Sequence, residues 1–308
     1  MRVVTLGWRC TGPGGGCAEV SVRCDERSWG SVHRQCVANP WMGVGRARAS
    51  DRLPWRPVTT DPLAPLVELP GVREAADRAR DALGAVHRHP ANLRGWNNTA
   101  TEASWRAGRS SAAIDGGSVE LRRDGDFDDP ILAGAMRVAQ ALDGDSLEQL
   151  TSVFRRAPAQ AFARLHVLAA SDLVEDPELL GRPRPGAQVA ARLDLLGQLI
   201  TGATSAPAPV VAAVVHGELL TLDAFGSASG VVARAASRLT STSSGLDPHN
   251  LGVPEVTWFK KVDEYRSLAT AFGSGDPAAL AAWIVFCCEA MVAGATEAKS
   301  IADAARAG

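Results

Sequence analysis

The sequence predicts an all-α protein, a bundle of helices around one buried central helix. Three observations predict it. From residue 61 onward, leucine, valine and alanine recur at helical spacing, with alanine doing much of the filling. Asp-Pro steps at Asp61-Pro62 and Asp129-Pro130 start runs that other breakers end. No series of alternating strands and no β–α alternation occurs that would build a parallel sheet.

The elements follow in order. Residues 1–58 are rich in glycine, arginine, tryptophan and cysteine, without a period of 2 or 3.6. "TGPGGGC" is a cluster of breakers, and Met42 is an alternative start. Cys10, Cys17, Cys24 and Cys36 are too widely spaced for a C-x-x-C knuckle; only Cys24, His33 and Cys36 have a spacing that a metal could share. This stretch reads as a disordered or non-native extension, and no metal site is assigned. Residues 59–308 read as one helical domain, with N-terminal helices over 59–125 and a core over 126–308.

"DPLAPLVEL" opens with Asp61 as a cap. "VREAADRARDALGAV" places Val72, Ala76, Ala79, Leu83 and Val86 on one face. "NNTATEASWRAGRSSAAI" ends at "DGG". "DDPILAGAMRVAQAL" and "APAQAFARLHVLAASDL" follow, then the Pro/Gly-rich loop "VEDPELLGRPRPG". "AQVAARLDLLGQLI" keeps Val189, Leu193, Leu196 and Ile200 in step. "APVVAAVVHGELLTL" is apolar on both faces and is expected at the centre. "SGVVARAASRLTSTSS" ends at Gly245, and "WFKK" (258–261) is expected to start a helix on a hydrophobic anchor. "KKVDEYRSLATAF" and the long run from Asp276 close the chain, with Cys287 and Cys288 expected as buried free thiols.

A net charge of −2 gives no footprint for nucleic acid and no polybasic membrane patch. No apolar run is read as reaching the roughly 20 residues that span a bilayer. "MRVVTLGWRC" lacks a secretory apolar core, so a cytoplasmic location is expected.

The chemistry concentrates in "LDAFGSASGVVAR" (222–234). Gly226, Ser227, Ala228, Ser229 and Gly230 are small and precede a helix, whose free N–H groups and dipole attract anions. Arg234 and Arg238 are four apart, so both are expected to reach toward that site. The simpler alternative is that Ser227 or Ser229 caps the helix and Arg234 pairs with a carboxylate. His216 and His166 sit on apolar helices and read as structural. His216 is seven residues before Asp223, about 10 Å along a helix, too far to act on the same hydroxyl.

"HGELLTLDAFGSASGVVAR" resembles the core of Fic-domain (Fic/Doc, Fido-fold) proteins, whose motif is His-x-Phe-x-(Asp/Glu)-Gly-Asn-Gly-Arg-x-x-Arg between two helices. Phe225, Gly230 and Arg234 match in register. "SSGLDP" resembles the family's Gly-Leu-x-Pro turn. "YRSLATAFGSGDPAALAAWIVFCCE", with Tyr265 and Trp283, is similar to its closing helices. "ARLHVLAAS" with "GRPRP" resembles the helix and loop before the core. "SSAAIDGG" resembles the inhibitory helix that ends Ser-x-x-x-Glu-Gly, with Ser111 and Asp115 at the Ser and Glu positions. The likeness covers roughly residues 60–300.

The resemblance implies a nucleotidyltransferase-like site. In the family the motif His is a general base for a Ser, Thr or Tyr hydroxyl on a target protein, which takes the AMP moiety of ATP. Here Asp223 stands at the His position, Ser227 at the acidic Mg²⁺ ligand, Ser229 at the phosphate-holding Asn and Val231 at the first Arg. Loss of one charge-stabilising donor costs about 10²–10³ in rate, so losing base, metal ligand and arginine together leaves little of the reaction. The expectation is a pseudoenzyme: a binding or regulatory module for a protein partner, with weak ATP/Mg²⁺ or phosphate binding at Gly226–Gly230, Arg234 and Arg238. The Ser111 and Asp115 segment is expected to clamp Arg234. The alternative is an active protein adenylyltransferase with Asp223 as its base.

Overall fold

In a computed structural model the described residues are 61–119 and 127–307; the expected extension over 1–58 lies outside them. They form helices and no strand. The helices are α1 (Ala64–Val67), α2 (Val72–His87), α3 (Asn92–Ile114), α4 (Pro130–Ala141), α5 (Gly144–Arg156), α6 (Pro158–Ala170), α7 (Ala187–Ile200), α8 (Ala208–Leu222), α9 (Ser229–Ser243), α10 (Pro254–Lys260), α11 (Val262–Phe272) and α12 (Pro277–Ala307).

The punctuation works as local chemistry dictates. Asp129 caps α4 by accepting from Leu132 N at 2.7 Å, with Pro130 at the first helical position. Asp61 caps nothing as long as expected, because α1 is four residues long with Leu63 at its cap. Its carboxylate accepts from Leu63 N at 2.9 Å and also binds the 204–205 loop, accepting from the Thr204 hydroxyl at 2.7 Å and Ser205 N at 2.6 Å.

Helix α5 has no counterpart among the runs listed from periodicity. Its Leu147, Leu150 and Phe154 are buried at i, i+3 and i+7, and Asp143 caps it. The "WFKK" expectation needs correction too. Proline begins α10 at 254, so Trp258 is a fully buried residue inside that helix rather than its starting anchor.

Two apolar clusters hold these helices. One gathers α2, α8, α11 and α12 around Trp258 and Trp283; the other gathers α4, α5, α6 and α9 around Phe154 and Phe162. α8 belongs to both, giving Val210, Ala213 and Val214 to the first and Val215 and Leu219 to the second. That sharing explains why its apolar residues surround it on all sides. α4 and α6 meet backbone to backbone at Gly134, where a Cβ would fall 2.0 Å from Ala169 O. Any side chain there would force the helices apart.

α12 is 31 residues long and by length and composition could cross a bilayer, which the sequence reading of apolar runs did not anticipate. In this fold 56% of its apolar window is buried, and the core accounts for its apolarity. Cys287 and Cys288 on α12 are buried and free.

Candidate functional site

The motif turn joins α8 to α9. α8 ends at Asp223, which adopts a left-handed conformation (φ 44°, ψ 49°). Ala228 is also left-handed, at φ 53°, in a region that favours glycine. The resembled motif has glycine at that position, and alanine holds this conformation at the cost of backbone strain. Nothing in the periodicity pointed to Ala228.

Phe225 is buried and stacks on His166, with ring centroids 4.7 Å apart. His166 Nδ1 accepts from Gly181 N at 2.9 Å, which leaves the imidazole proton on Nε2, 3.5 Å from Ser227 Oγ. His166 thus ties the 177–186 loop to the motif turn, and it faces Ser227 as a donor rather than a base. Burial holds its pKa below the ordinary histidine value.

Arg184 is the second tie from that loop, in the "GRPRP" segment that the resemblance matched. Its backbone N–H donates to Ala224 O, and its guanidinium pairs with Asp223. The carboxylate in the general-base position therefore faces a cation. Both side chains are about half exposed.

The expectation that Ser227 or Ser229 caps α9 is not met. Ala228 is the cap residue, and no side chain accepts there; Ser229 Oγ turns back to Gly226 O at 3.3 Å. The carboxylate of Asp115 lies against this helix start instead. A Cβ built on Gly230 would fall 2.6 Å from both Asp115 carboxylate oxygens. An internal anion thus sits where the helix dipole and free N–H groups would receive an external one.

Arg234 connects the turn to α3. It is 1% exposed. Its Nε donates to Ser111 Oγ at 2.8 Å, and Nη2 donates to Ser111 O at 2.9 Å and to Asp115 Oδ2 at 2.7 Å. Nη1 donates to the Tyr265 hydroxyl at 3.3 Å. Burial alone would lower the guanidinium pKa, but the charges and hydrogen bonds of Asp115 and Tyr265 together outweigh it, and the net direction is upward.

Arg238 does not join Arg234 at the turn. It is buried one helical turn further on, where it donates to Gly252 O (2.8 Å), Asn250 O (3.0 Å) and Glu255 (2.9 Å). The i, i+4 spacing put both arginines on one side of α9, but the 250–255 loop captures the second. Beneath Val231 and Arg234, between α3, α4 and α9, lies a void of about 20 Å³, room for about one water.

His216 is fully buried on α8, with Nε2 2.8 Å from the Tyr265 hydroxyl. That hydroxyl accepts from Arg234, so it donates to Nε2 and leaves the imidazole proton on the unpartnered Nδ1. Burial, then the Arg234 charge, holds the His216 pKa well below its ordinary value. The folded pKa lies below the unfolded one. The stability contribution is therefore complete above pH ~6.5 and lost as pH falls, by up to ~1.4 kcal/mol per pH unit. Denaturant midpoints are expected to drop between about pH 7 and 5, and His216→Gln is expected to flatten that slope. An unchanged slope in the variant would assign the loss to other groups.

Among solved structures, the chain matches the crystal structure of a Fic family protein from Desulfovibrio desulfuricans G20. The match has 15% identity and a TM-score of 0.55, over 75% of this chain and 74% of that chain. No family model and no curated protein sequence matches it. At this identity the likeness is one of fold: the chain has a Fic-like all-α architecture.

Proposed function

We propose that this chain is a Fic-like binding or regulatory module for a protein partner, acting in the cytoplasm, in which the phosphate-binding turn survives while the transfer chemistry does not. The observation that carries this reading is the Asp115 carboxylate lying against Gly230 and pairing with Arg234. In this reading the chain's own carboxylate takes the place of an anion at the start of α9.

The residues present do not suit Mg²⁺. Ser227 offers a neutral hydroxyl where a divalent ion needs a carboxylate, and Asp223 faces the Arg184 cation. No step is derived through the metal. What the chain retains is a helix start that can hold a phosphate, and one guanidinium, Arg234, that would be released to it if Asp115 withdrew. The rival reading, transfer of AMP to a protein hydroxyl with Asp223 as base, draws on the partial exposure of that carboxylate, 42%.

Two measurements test the proposal. With Mg²⁺ and α-labelled ATP, with or without lysate, no label transfer is expected. Label transfer that disappears in Asp223→Ala would establish the transferase instead. By calorimetry, ATP is expected to bind the native chain weakly and Asp115→Ala about tenfold more tightly or better, ~1.4 kcal/mol. Equal affinity in the two would remove the self-occupied phosphate site.

A further inference from the structure

A second concavity lies at the far end of α9. It is an open cleft of about 400 Å³, within the usual range of small-molecule sites, formed by α5, the last turn of α9 and the 248–249 segment. Thr242 in its wall is thirteen positions beyond Ser229, about 20 Å along the helix axis, so this cleft is separate from the motif turn.

Its polar groups are unusual in what they do not bind. α9 carries five consecutive hydroxyl residues at 240–244. Thr240, Ser241, Ser243 and Ser244 each donate back to a carbonyl of their own helix. The Thr242 hydroxyl is buried without a partner and lines the cleft. The Thr151 hydroxyl on α5 is likewise buried, unpartnered and in the same wall. Both residues are only 7% exposed, and their hydroxyl oxygens are shut off from solvent, so two polar groups lie unpaired behind this wall.

The rest of the lining sets the ligand's shape and charge. Trp96 and His249 are stacked face to face, 4.0 Å between centroids and 9° apart, giving a flat apolar wall. Arg155 is held by Ser243 O through Nε and Nη2, leaving Nη1 available, and Arg156 lies beside it. Glu148 is the acidic group of the lining. Burial lowers the pKa of His249, so the imidazole is neutral near pH 7. Two guanidiniums against one carboxylate leave a single positive charge.

We propose that this cleft binds a small aromatic monocarboxylate. Its ring packs on the Trp96–His249 pair, and its carboxylate accepts from Arg155 Nη1 and Arg156. A single net positive charge suits a monoanion better than a phosphate dianion.

Calorimetry on the full chain with benzoate, benzamide and inorganic phosphate tests this. Benzoate is expected to bind with a Kd of about 1 mM, the range for so few atoms, and neutral benzamide at least about tenfold more weakly. Arg156→Ala removes an exposed side chain, so the fold should stand while benzoate affinity falls about fivefold or more. The proposal is overturned if benzoate gives no heat at about 20 mM, if benzamide binds equally well, if phosphate binds more tightly, or if Arg156→Ala leaves benzoate affinity unchanged.

Discussion

Arg234→Leu is expected to lower stability by about 3 kcal/mol, because the fully buried guanidinium leaves buried oxygens without a donor while its partner Asp115 stays partly in solvent. The leucine restores apolar volume, so the loss comes from the groups left behind. Asp115 keeps its charge beside the α9 helix start, and the Ser111 and Tyr265 oxygens lose their donor. In a domain of this size each kcal/mol moves Tm by about 2–4 °C, so scanning calorimetry should show a drop on the order of 10 °C. A single-variant loss below about 1 kcal/mol would mean that Arg234 does not hold α3 to α9.

Trp283→Ala is expected to cost about 3–5 kcal/mol, since it empties a fully buried indole site. The ring packs against Tyr265, Phe272 and Phe286, and its Nε1 donates to Ala213 O at 2.8 Å. Gly217 permits the close approach: a Cβ there would fall 2.7 Å from that nitrogen. Alanine leaves both a cavity and an unpaired carbonyl on α8. Trp283→Phe keeps most of the ring and loses the hydrogen bond, so it should fall between the two. Urea titration with an unchanged m-value would report these as losses of the native state alone. A phenylalanine variant as stable as the native chain would show that the Ala213 contact contributes nothing.

Helix periodicity and capping chemistry made most of this fold legible, because both act within a few residues. Val72, Ala76, Ala79, Leu83 and Val86 face inward as their spacing requires. α5 carried an equally clear signal in Leu147, Leu150 and Phe154, so nothing physical hid it. The site was less legible, because its decisive contacts join distant segments. Arg234 meets Asp115 across 119 positions, and Arg184 meets Asp223 across 39. The first pairing was foreseeable only through the resemblance. The second involves the "GRPRP" loop that the resemblance marked, but nothing in the sequence named Asp223 as the partner of its arginine. Arg238 misled because i, i+4 spacing fixes which side of a helix a residue takes, but not which loop covers that side. The α5–α9 cleft was out of reach for a similar reason: which hydroxyl turns away from its own helix is decided by packing.

The position of α8 as the common wall of both apolar clusters has a consequence for how the molecule opens. Neither half can expose its interior while the other keeps that wall dry on one side only. Partial melting that spares one cluster would leave Val210 and Val214, or Val215 and Leu219, facing solvent from an intact helix. The two clusters therefore form one cooperative unit, with the amides of α8 protected until global unfolding while the exposed helix ends fray first.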